Sequence, residues 1–555
     1  MKRLLPLVCI LLLSYVAWRP LVSRGYFPMH DNTQVERVVE MGRVLKEGQF
    51  PVRWVADLGY GYGYPIYNFY GPLPYYVGGL FYALGVPALT STKIMFGLGM
   101  VLPAAAVYAV LFSLVGWQAA ALSAVLYLFA PYHAVQIYVR GAVGEYWELL
   151  FWPLILYALV WNGVRGRERR AMVAGAVGLF GSILSHTLLG YATTVFLGIG
   201  LAIYWLVRVF RRDAAKKEYT AHLRWILLGL GMASFFWLPA LSEMRFTDVA
   251  AQVSATANYA DHFVCMVQLW SSAWGFGGSA PGCLNDGLSF MIGKIHIILA
   301  LVAILAWMTG ALKKINRRFL FVAFLSTVIG IFLTLQFSLE VWRILPMFAY
   351  LQYPWRFLAL ALFGLAALSG VVVTLIRHPL WRTVVTIGAI AAVIGMNTKW
   401  FVPQYLYTPA SGSFESSRDI RWRASKISDE YLPKAIVRPV TESHVVSDTI
   451  ESRQPISVTP ISATAVENQS VVESTSSALV RINIAYFPGW KYYINGTEVR
   501  PGITAGLPTL EIGPGQSVIT AKFTDTPVRI LGNIISGVSF VLLLYIYVKQ
   551  RKTKG

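Results

Sequence analysis

The chain has 555 residues, of which 56% are hydrophobic and only 13% are charged. With a mean hydropathy of +0.56, this composition excludes an ordinary soluble multidomain protein and indicates a chain embedded in a membrane. The formal charge of +20 does not indicate nucleic-acid binding, because Lys and Arg stand in short clusters between apolar runs. The three cysteines exclude a disulfide framework and a thiolate metal site, since Cys9 lies within an apolar run.

Twelve apolar runs are candidates for membrane-spanning helices. A hydrocarbon core ~30 Å thick needs roughly 20 apolar residues per helix. The runs are 4–22, 93–115, 119–139, 146–163, 171–187, 189–207, 223–241, 288–308, 319–338, 355–376, 383–401 and 528–548. The sequence therefore predicts a polytopic α-helical membrane protein of about 12 spans. The first run resembles a signal peptide but lacks a small-x-small cleavage site, so we expect an uncleaved anchor.

Basic clusters predict the orientation of these spans. Lys and Arg resist translocation and therefore mark the cytoplasmic side. The clusters are Lys2-Arg3, Arg165–Arg170, Arg208–Lys217, Lys313–Arg318, Arg377–Arg382 and Lys549–Lys554. With twelve spans all of them fall on one side, so both termini are predicted to be cytoplasmic.

The first predicted outer loop, 23–92, places an acid close to the membrane surface. Asp31 precedes a segment, 32–46, in which Val and Met alternate with charged residues at helical spacing. This pattern predicts a helix on the membrane interface, with Asp31 or Asn32 as its N-cap. Asp31 is then either a cap without chemistry or a general base. The aromatic and glycine run 57–76 is either an interfacial belt or a loop shaped against a ligand.

Ionisable residues also occur where the predicted spans 119–139 and 146–163 turn back. Arg140, Glu145 and Glu148 lie in this otherwise apolar region. Charged groups at such a depth are costly, so they are functional candidates. Arg140 can hold a phosphate, and Glu145 can orient a sugar or a divalent ion. The alternative is an Arg140–Glu145 salt bridge that fixes the turn.

Four further residues are candidates for binding. His186 is predicted at the outer end of its span, as a ligand contact or a packing residue. Arg356 follows Tyr353 at the start of another span, where a guanidinium beside aromatic rings either clamps a lipid phosphate or anchors the helix at the interface. Lys294 is a further phosphate partner or a side chain that reaches outward to the interface.

Two cysteines share the predicted outer loop 242–287. In an oxidising compartment Cys265 and Cys283 are candidates for a disulfide, and their surroundings do not indicate thiol catalysis. The sequence has no Walker, Rossmann, HExxH or GxSxG motif, so ATP-driven pumping and soluble-type hydrolase chemistry have no local support.

The segment 402–527 is the one predicted soluble domain. Residues 402–434 lack a regular pattern, whereas the second half of the segment alternates apolar and polar residues around "ING" and "GPGQ" turns. This pattern predicts a small antiparallel β-sandwich outside the membrane. The predicted domains are therefore a transmembrane domain, 1–401, the β-rich domain, and a final helix with a basic tail, 528–555.

Several segments carry a resemblance to a known family. The segments "MHDNTQVERVVEMGRVLKEGQFPVRW", "VRGAVGEYWELLFWPL", "SHTLLGY", "LQYPWRFL" and "YFPGWKYYINGTEV" are similar to bacterial membrane proteins called 6-pyruvoyl-tetrahydropterin synthase-related. These belong to the GT-C-like glycosyltransferase superfamily, and the label implies no pterin chemistry. The resemblance implies a GT-C-like fold in the bacterial inner membrane, with 32–46 and 73–87 as helices that flank the membrane.

The resemblance also implies an activity. In GT-C enzymes an acid in the first outer loop acts as general base or metal-linked acid, and Asp31 matches that position. Some relatives have an acid pair where this chain has His30-Asp31. A divalent cation, Mg²⁺ or Mn²⁺, held by Asp31 and Glu145 is therefore left open, and no other cofactor is expected.

We expect a sugar to move from a polyprenyl-phosphate donor to a glycan, lipid or protein acceptor on the outer face. Asp31 would accept the proton, Arg140 and Arg356 would stabilise the leaving phosphate, and Glu145 and His186 would shape the cavity. The alternatives are a transporter or flippase of lipid-linked saccharides and a non-catalytic glycan-binding scaffold. Repeated halves with paired helix breaks, which favour a transporter, are not evident.

Overall fold

Helices make up most of the chain up to residue 400, and strands form a separate C-terminal region. The computed structural model describes residues 4–212, 216–249 and 258–552. The predicted basic cluster Lys2-Arg3 lies outside the described residues, as do parts of the clusters 208–217 and 549–554. The α-helices are α1 Leu4–Trp18, α2 Gln34–Lys46, α3 Ile66–Phe69, α4 Leu73–Ala83, α5 Ala88–Val115, α6 Trp117–Leu128, α7 Pro131–Ala134, α8 Val143–Glu148, α9 Trp152–Trp161, α10 Glu168–Ser185, α11 Thr187–Phe210, α12 Lys216–Met232, α13 Ser234–Glu243, α14 Met266–Trp270, α15 Lys294–Met308, α16 Arg317–Thr334, α17 Leu339–Ile344, α18 Leu358–Val371, α19 Pro379–Asn397, α20 Ser417–Asp419, α21 Ser425–Ile427 and α22 Pro527–Lys552.

Short 3₁₀-helical and π-helical turns connect these elements. The 3₁₀ turns are Arg19–Val22, Met244–Phe246, Tyr259–Asp261, Gln336–Ser338, Pro346–Leu351, Pro354–Phe357, Val372–Leu375, Thr398–Trp400 and Glu442–His444. Two π-helical turns span Val135–Val139 and Ile420–Ala424. The first of these π turns leads directly into the turn that carries Arg140.

Eight helical segments of the described chain are long and apolar enough to cross a membrane. They are Leu4–Val22, Ala88–Val115, Val143–Trp161, Thr187–Phe210, Arg317–Thr334, Pro354–Leu375, Pro379–Trp400 and Pro527–Lys549. Two bent pairs, Trp117–Leu128 with Pro131–Val139 and Glu218–Met232 with Ser234–Phe246, bring the number to ten if each pair is one span. The chain is therefore a helical membrane protein, but the expected twelve spans are not confirmed.

The remaining two predicted spans fall short for identifiable reasons. Residues 288–308 are helical only from Lys294, and 15 residues at ~1.5 Å each reach about 22 Å, which is less than a bilayer core. The predicted span 171–187 corresponds to α10, whose first turn carries Glu168, Arg169 and Arg170. These three charged residues lower the mean hydropathy of α10 below that of a membrane-spanning helix.

Small residues let α16 and α18 pack closely. A Cβ atom on Gly364 would overlap the carbonyl oxygen of Ala323, and one on Gly330 would overlap the backbone of Ala361. The two helices therefore meet backbone to backbone, as is common between membrane helices. Every residue of α18 except the half-buried Leu360 is buried, so the helix lies inside the bundle.

We expect Gly364→Ala to lower stability by about 1–3 kcal/mol, because the added methyl group has no space at this contact. Gly388 in α19 is the matched control, since a Cβ atom there meets nothing within 4 Å. Thermal denaturation in detergent should show a lower midpoint for Gly364→Ala and an unchanged or slightly higher one for Gly388→Ala. Equal midpoints would show that the α16–α18 contact can relax.

The helix after Asp31 is predicted to lie on the membrane interface, and the structure shows that other parts of the protein cover it. α2 is buried from Gln34 to Gly42, including Glu36, Arg37 and Glu40. It packs against α4 and α5 and is covered by the segment that precedes the sandwich. The predicted N-cap is wrong, because Thr33 occupies that position and makes no capping bond through its side chain. An amphipathic pattern does not distinguish a lipid surface from a protein surface as the partner of its apolar face.

The C-terminal strands form two antiparallel sheets, as the sequence predicted. The strands are β1 Ile450–Ser452, β2 Ile456–Ala463, β3 Glu467–Ser474, β4 Ala478–Ile482, β5 Trp490–Ile494, β6 Thr497–Val499, β7 Gly502–Thr504, β8 Leu507–Ile512 and β9 Gly515–Phe523. One sheet has the order β1-β4-β8-β7 and the other β2-β3-β9-β5-β6. The two-residue turn Asn495-Gly496 joins β5 to β6, and both of its residues have positive φ, as a type I′ hairpin requires.

Polar contacts fix the C-terminal region against the first loop. Asp57 accepts a hydrogen bond from Arg43 at 2.8 Å and another from Arg421 at 2.8 Å. Arg529, at the start of α22, is fully buried and donates to Glu243 of α13 at 2.8 Å. The segment 402–434, which has no periodic pattern, is therefore a packed layer over α2.

Candidate functional site

A buried carboxylate lies between two arginines where the helices turn back. Glu145 accepts two hydrogen bonds from Arg140, at 2.5 and 2.6 Å. The Nε atom of Arg356 lies 3.0 Å from the same carboxylate. The side chain of Glu145 is 1% exposed and that of Arg140 is 7% exposed. Two guanidinium groups against one carboxylate leave one net positive charge in a region shielded from water, where its field is strong.

Local sequence explains why Arg140 and Glu145 meet. The π turn Val135–Val139 ends at Arg140, and α8 begins at Val143, so one sharp bend separates the two side chains. Gly141 forms this bend with φ of +64°, and a Cβ atom there would overlap Met29. The salt bridge that the sequence left as an alternative for this pair is therefore present, and Arg356 adds a second cation to it.

Aromatic rings extend this cluster. The Arg140 guanidinium lies 4.2 Å from the ring centroid of Trp355, and Trp355 stacks on Tyr353 at 4.7 Å. Arg356 in turn lies 5.4 Å from the centroid of the Tyr353 ring. Tyr353 therefore lies beside Arg356 and is linked to Arg140 through Trp355.

His186 lies at the break between α10 and α11. Its Nδ1 atom accepts a hydrogen bond from the backbone N–H of Leu189 at 3.1 Å, so the ring caps α11. The ring also faces Gly144, one residue before Glu145. Glu148 also belongs to α8, but its carboxylate accepts hydrogen bonds from the hydroxyl groups of Ser182 at 2.5 Å and Thr193 at 3.0 Å. His186 thus borders the Arg140–Glu145–Arg356 cluster, whereas Glu148 belongs to a separate polar contact.

Asp31 is joined to the same cluster through the backbone. Its N–H donates to the carbonyl oxygen of Arg140 at 3.0 Å, and the N–H of His30 donates to Val139 at 3.0 Å. The Asp31 side chain is half-buried. These backbone bonds fix the start of the first loop beside the turn that carries Arg140.

Two residues beside Asp31 were not identified from the sequence. Arg37 donates to Ser428 at 2.8 Å and lies 4.5 Å from the ring centroid of Tyr70. Burial raises the pKa of Glu430, Arg37 lowers it, and the nearby Asp31 carboxylate raises it again, with a net shift upward. Contacts between α2 and residues almost 400 positions later have no local sequence signal, so only the fold reveals them.

Glu36 is a buried acid on the same helix. It is 8% exposed, and one carboxylate oxygen has no hydrogen-bond partner among the described residues. Burial raises its pKa from an ordinary value of 4.5 to about 7, although Arg37 opposes this shift. The folded state therefore binds the proton more tightly than the unfolded state, and stability falls as the pH rises from 4.5 to 7.

We expect Glu36→Gln to raise the thermal midpoint at pH 8 and to leave it nearly unchanged at pH 4, where the acid is mostly protonated in both the folded and the unfolded state. The gain at pH 8 is about 3 kcal/mol, from the shift of the pKa between 4.5 and about 7. Glu473→Gln, on the exposed side of β3, should change neither midpoint. A gain of equal size at both pH values would mean that packing rather than charge is responsible.

The other predicted residues lie outside this cluster. His30 is exposed and its ring bonds to the carbonyl oxygen of Phe276 at 3.1 Å. Lys294 is exposed at the first turn of α15 and lies 5.5 Å from the ring centroid of Trp270. Cys265 and Cys283 form a disulfide. Lys294 as a phosphate partner therefore stays a prediction, and in this structure its side chain lies beside Trp270 rather than in the cluster.

The acids present do not fit a divalent cation at Glu145. No group of three or more His, Cys, Asp or Glu side chains suited to a metal occurs in residues 4–212, 216–249 and 258–552. Glu145 in addition shares both of its oxygens with guanidinium groups. Replacing these two cations by a metal ion would leave buried guanidinium groups without partners.

An apolar groove leads away from Arg356. It has a volume of about 250 Å³ and is lined by side chains of α9, α11 and α16. Arg356 and Phe357 stand at one end, and Tyr204, Glu218, His222 and Arg318 at the other. Asp31 is not among the lining residues. The groove therefore joins a long apolar surface to the cationic cluster, but not directly to the acid of the first loop.

Comparison with known proteins gives one family and a few distant structures. A family model described as 6-pyruvoyl-tetrahydropterin synthase related domain, membrane protein, matches residues 67–402, which is more than half of the chain. The arabinofuranosyltransferase AftD from Mycobacteria is 17% identical, with a TM-score of 0.46 over 74% of this chain and 27% of that one. ArnT from Cupriavidus metallidurans, bound to undecaprenyl phosphate, is 15% identical, with a TM-score of 0.35 over 70% of this chain and 63% of that one.

This chain thus spans only part of the length of either protein. Comparison with curated protein sequences gives no match.

Proposed function

We propose a function from the premise that this chain belongs to the family of membrane proteins described as 6-pyruvoyl-tetrahydropterin synthase related. The function is glycosyl transfer, in which a sugar moves from a polyprenyl-phosphate donor to an acceptor on the outer face. One observation carries this proposal: an apolar groove of about 250 Å³ ends at Arg356, which shares Glu145 with Arg140. A lipid phosphate is the ligand that such an apolar groove with a cationic end recognises.

In the proposed reaction the acceptor hydroxyl attacks the anomeric carbon, and the bond to the donor phosphate breaks with inversion. Asp31 takes the hydroxyl proton, for which its half-buried carboxylate at the start of the first loop is suited. The phosphate leaves with the bonding electron pair, and the net positive charge of the Arg140–Glu145–Arg356 cluster stabilises it. No step passes through a metal ion.

The same proposal sets the orientation. We place the site and the β-sandwich on the outer face of a bacterial inner membrane, with both termini in the cytoplasm. The basic clusters support this orientation, because Arg165–Arg170 connects α9 to α10, Lys313–Arg318 connects α15 to α16, and Lys and Arg mark the cytoplasmic side.

A binding experiment tests the lipid end of the proposal. We expect Arg356→Gln to weaken the binding of undecaprenyl phosphate to the purified protein in nanodiscs about tenfold, the loss of one charge-assisted contact. Arg343→Gln is the matched control, because that side chain is 59% exposed and pairs with the exposed Glu340 at 2.6 Å. Equal binding by wild type and Arg356→Gln would remove Arg356 from the donor site.

A transporter of lipid-linked saccharides is the second candidate, because the groove has polar groups at both of its ends. A transporter would move the lipid without cleaving its sugar–phosphate bond. Recovery of intact donor after incubation with acceptor, together with its transfer across vesicles, would favour the transporter. Release of the lipid phosphate favours the transferase.

A further inference from the structure

The end of the groove opposite Arg356 carries a second polar cluster. Glu218 accepts a hydrogen bond from Tyr204 at 3.0 Å, and Arg318 lies 2.9 Å from it. Arg208 approaches the same carboxylate at 3.5 Å. Two guanidinium groups again face one carboxylate, so this end of the groove also has a net positive charge.

His222 is the unusual member of this cluster. It is 2% exposed, it lines the groove, and neither of its ring nitrogens has a hydrogen-bond partner among the described residues. Its neighbours are the aromatic rings of Tyr204, Trp205 and Trp225, at centroid distances of 5.6–6.5 Å. A buried polar group without a partner costs free energy unless a ligand or water satisfies it.

The groove between the two polar ends has the length of a lipid chain. Its lining on α11 runs from Leu189 to Tyr204, about 22 Å at ~1.5 Å per residue. On α16 the lining begins at Arg318 and continues through Phe321 and Leu325 to Ile329. Apart from Thr193 and Ser326, apolar residues cover the distance between the ends, and the charged residues stand only at the ends.

We propose that this second end binds the phosphate headgroup of an anionic membrane lipid, whose chain occupies the groove when the donor lipid does not. Arg318, at 41% side-chain exposure, has room to contact a phosphate oxygen while it remains near Glu218. His222 donates a hydrogen bond to a second oxygen from the floor of the groove. The lipid enters from the membrane face opposite the Arg140 cluster. This proposal concerns the far end of the groove and does not rest on sugar transfer.

The test uses the purified full-length protein in phosphatidylcholine nanodiscs that contain a minor fraction of phosphatidylglycerol. Native mass spectrometry counts the phosphatidylglycerol molecules that remain bound. We expect Arg318→Gln and His222→Phe each to weaken this binding about tenfold. His222→Phe keeps an aromatic ring in place, so it separates hydrogen bonding from packing.

Arg317→Gln is the matched control, since Arg317 is the exposed neighbour on the same helix and its loss changes the net charge equally. It should retain the lipid like the wild type. Equal retention by all variants, or equal retention of phosphatidylcholine, would overturn the proposal. Displacement of the lipid by inorganic phosphate at low concentration would identify a simple anion site and would also overturn it. Undecaprenyl phosphate binding at Arg356 is measured separately, so either proposal can fail alone.

Discussion

Replacing Asp31 by Asn is expected to reduce the rate of sugar transfer by about 10²–10⁴-fold, the usual contribution of a positioned general base. Asn has nearly the same shape as Asp but accepts no proton from the attacking hydroxyl. The backbone bond from residue 31 to Arg140 does not involve the side chain and remains possible in the variant. The loss should therefore appear in the rate of transfer rather than in folding.

The measurement is the initial rate of transfer from a radiolabelled polyprenyl-phosphate sugar in membranes that contain the variant. Asp261→Asn is the control, because Asp261 is an exposed acid of another loop of the transmembrane region. Binding of undecaprenyl phosphate should stay at the wild-type level in Asp31→Asn, because Asp31 does not line the groove. A transfer rate equal to that of the wild type would remove Asp31 from the mechanism and leave the lipid site standing.

Short-range features of this chain could be predicted from the sequence. Arg140 and Glu145 are five residues apart across a glycine turn, so their contact follows from local geometry. The hairpin at Asn495-Gly496 follows from its turn residues. Arg356 is a candidate from the sequence because its guanidinium follows aromatic residues at the start of an apolar run. In each case a few neighbouring residues are enough to predict the feature.

Long-range features could not be predicted in the same way. Arg37 and Glu430 lie near Asp31 only because the segment before the sandwich folds over α2. The amphipathic pattern of α2 predicts an apolar face, but the sequence does not reveal whether lipid or a distant part of the protein covers that face. Residues 171–187 and 288–308 do not reach the length and apolarity of a span. In two other predicted spans the helix breaks, at Ala130 before Pro131 and at Ala233 between α12 and α13. A proline or a bend interrupts the helix without changing the apolar composition on which the prediction depends.

Replacing Glu145 by Gln is expected to lower the stability of the protein by about 3–5 kcal/mol, because it leaves two guanidinium groups without their counter-charge in a buried site. Glu145 is 1% exposed and binds Arg140 through both of its oxygens. The same change removes the group that holds Arg356 at the end of the groove. Binding of undecaprenyl phosphate should therefore weaken together with stability.

A double variant tests whether the loss of stability comes from the unpaired charge of Arg140. Arg140→Gln combined with Glu145→Gln removes one charge of each sign, so its loss of stability should be smaller than the sum of the two single losses. The exposed pair Arg343–Glu340 is the control, and Glu340→Gln should cost less than about 1 kcal/mol. Stability is measured by thermal denaturation in detergent.

If the single losses simply add, Arg140 and Glu145 do not depend on each other. Their bidentate contact would then result from the geometry of the turn and would not stabilise it. If they do not add, Glu145 is the acid that keeps two cations together at the mouth of an apolar groove. A phosphate that arrives there would meet a positive charge already in place, which is the arrangement that departure of a lipid phosphate requires.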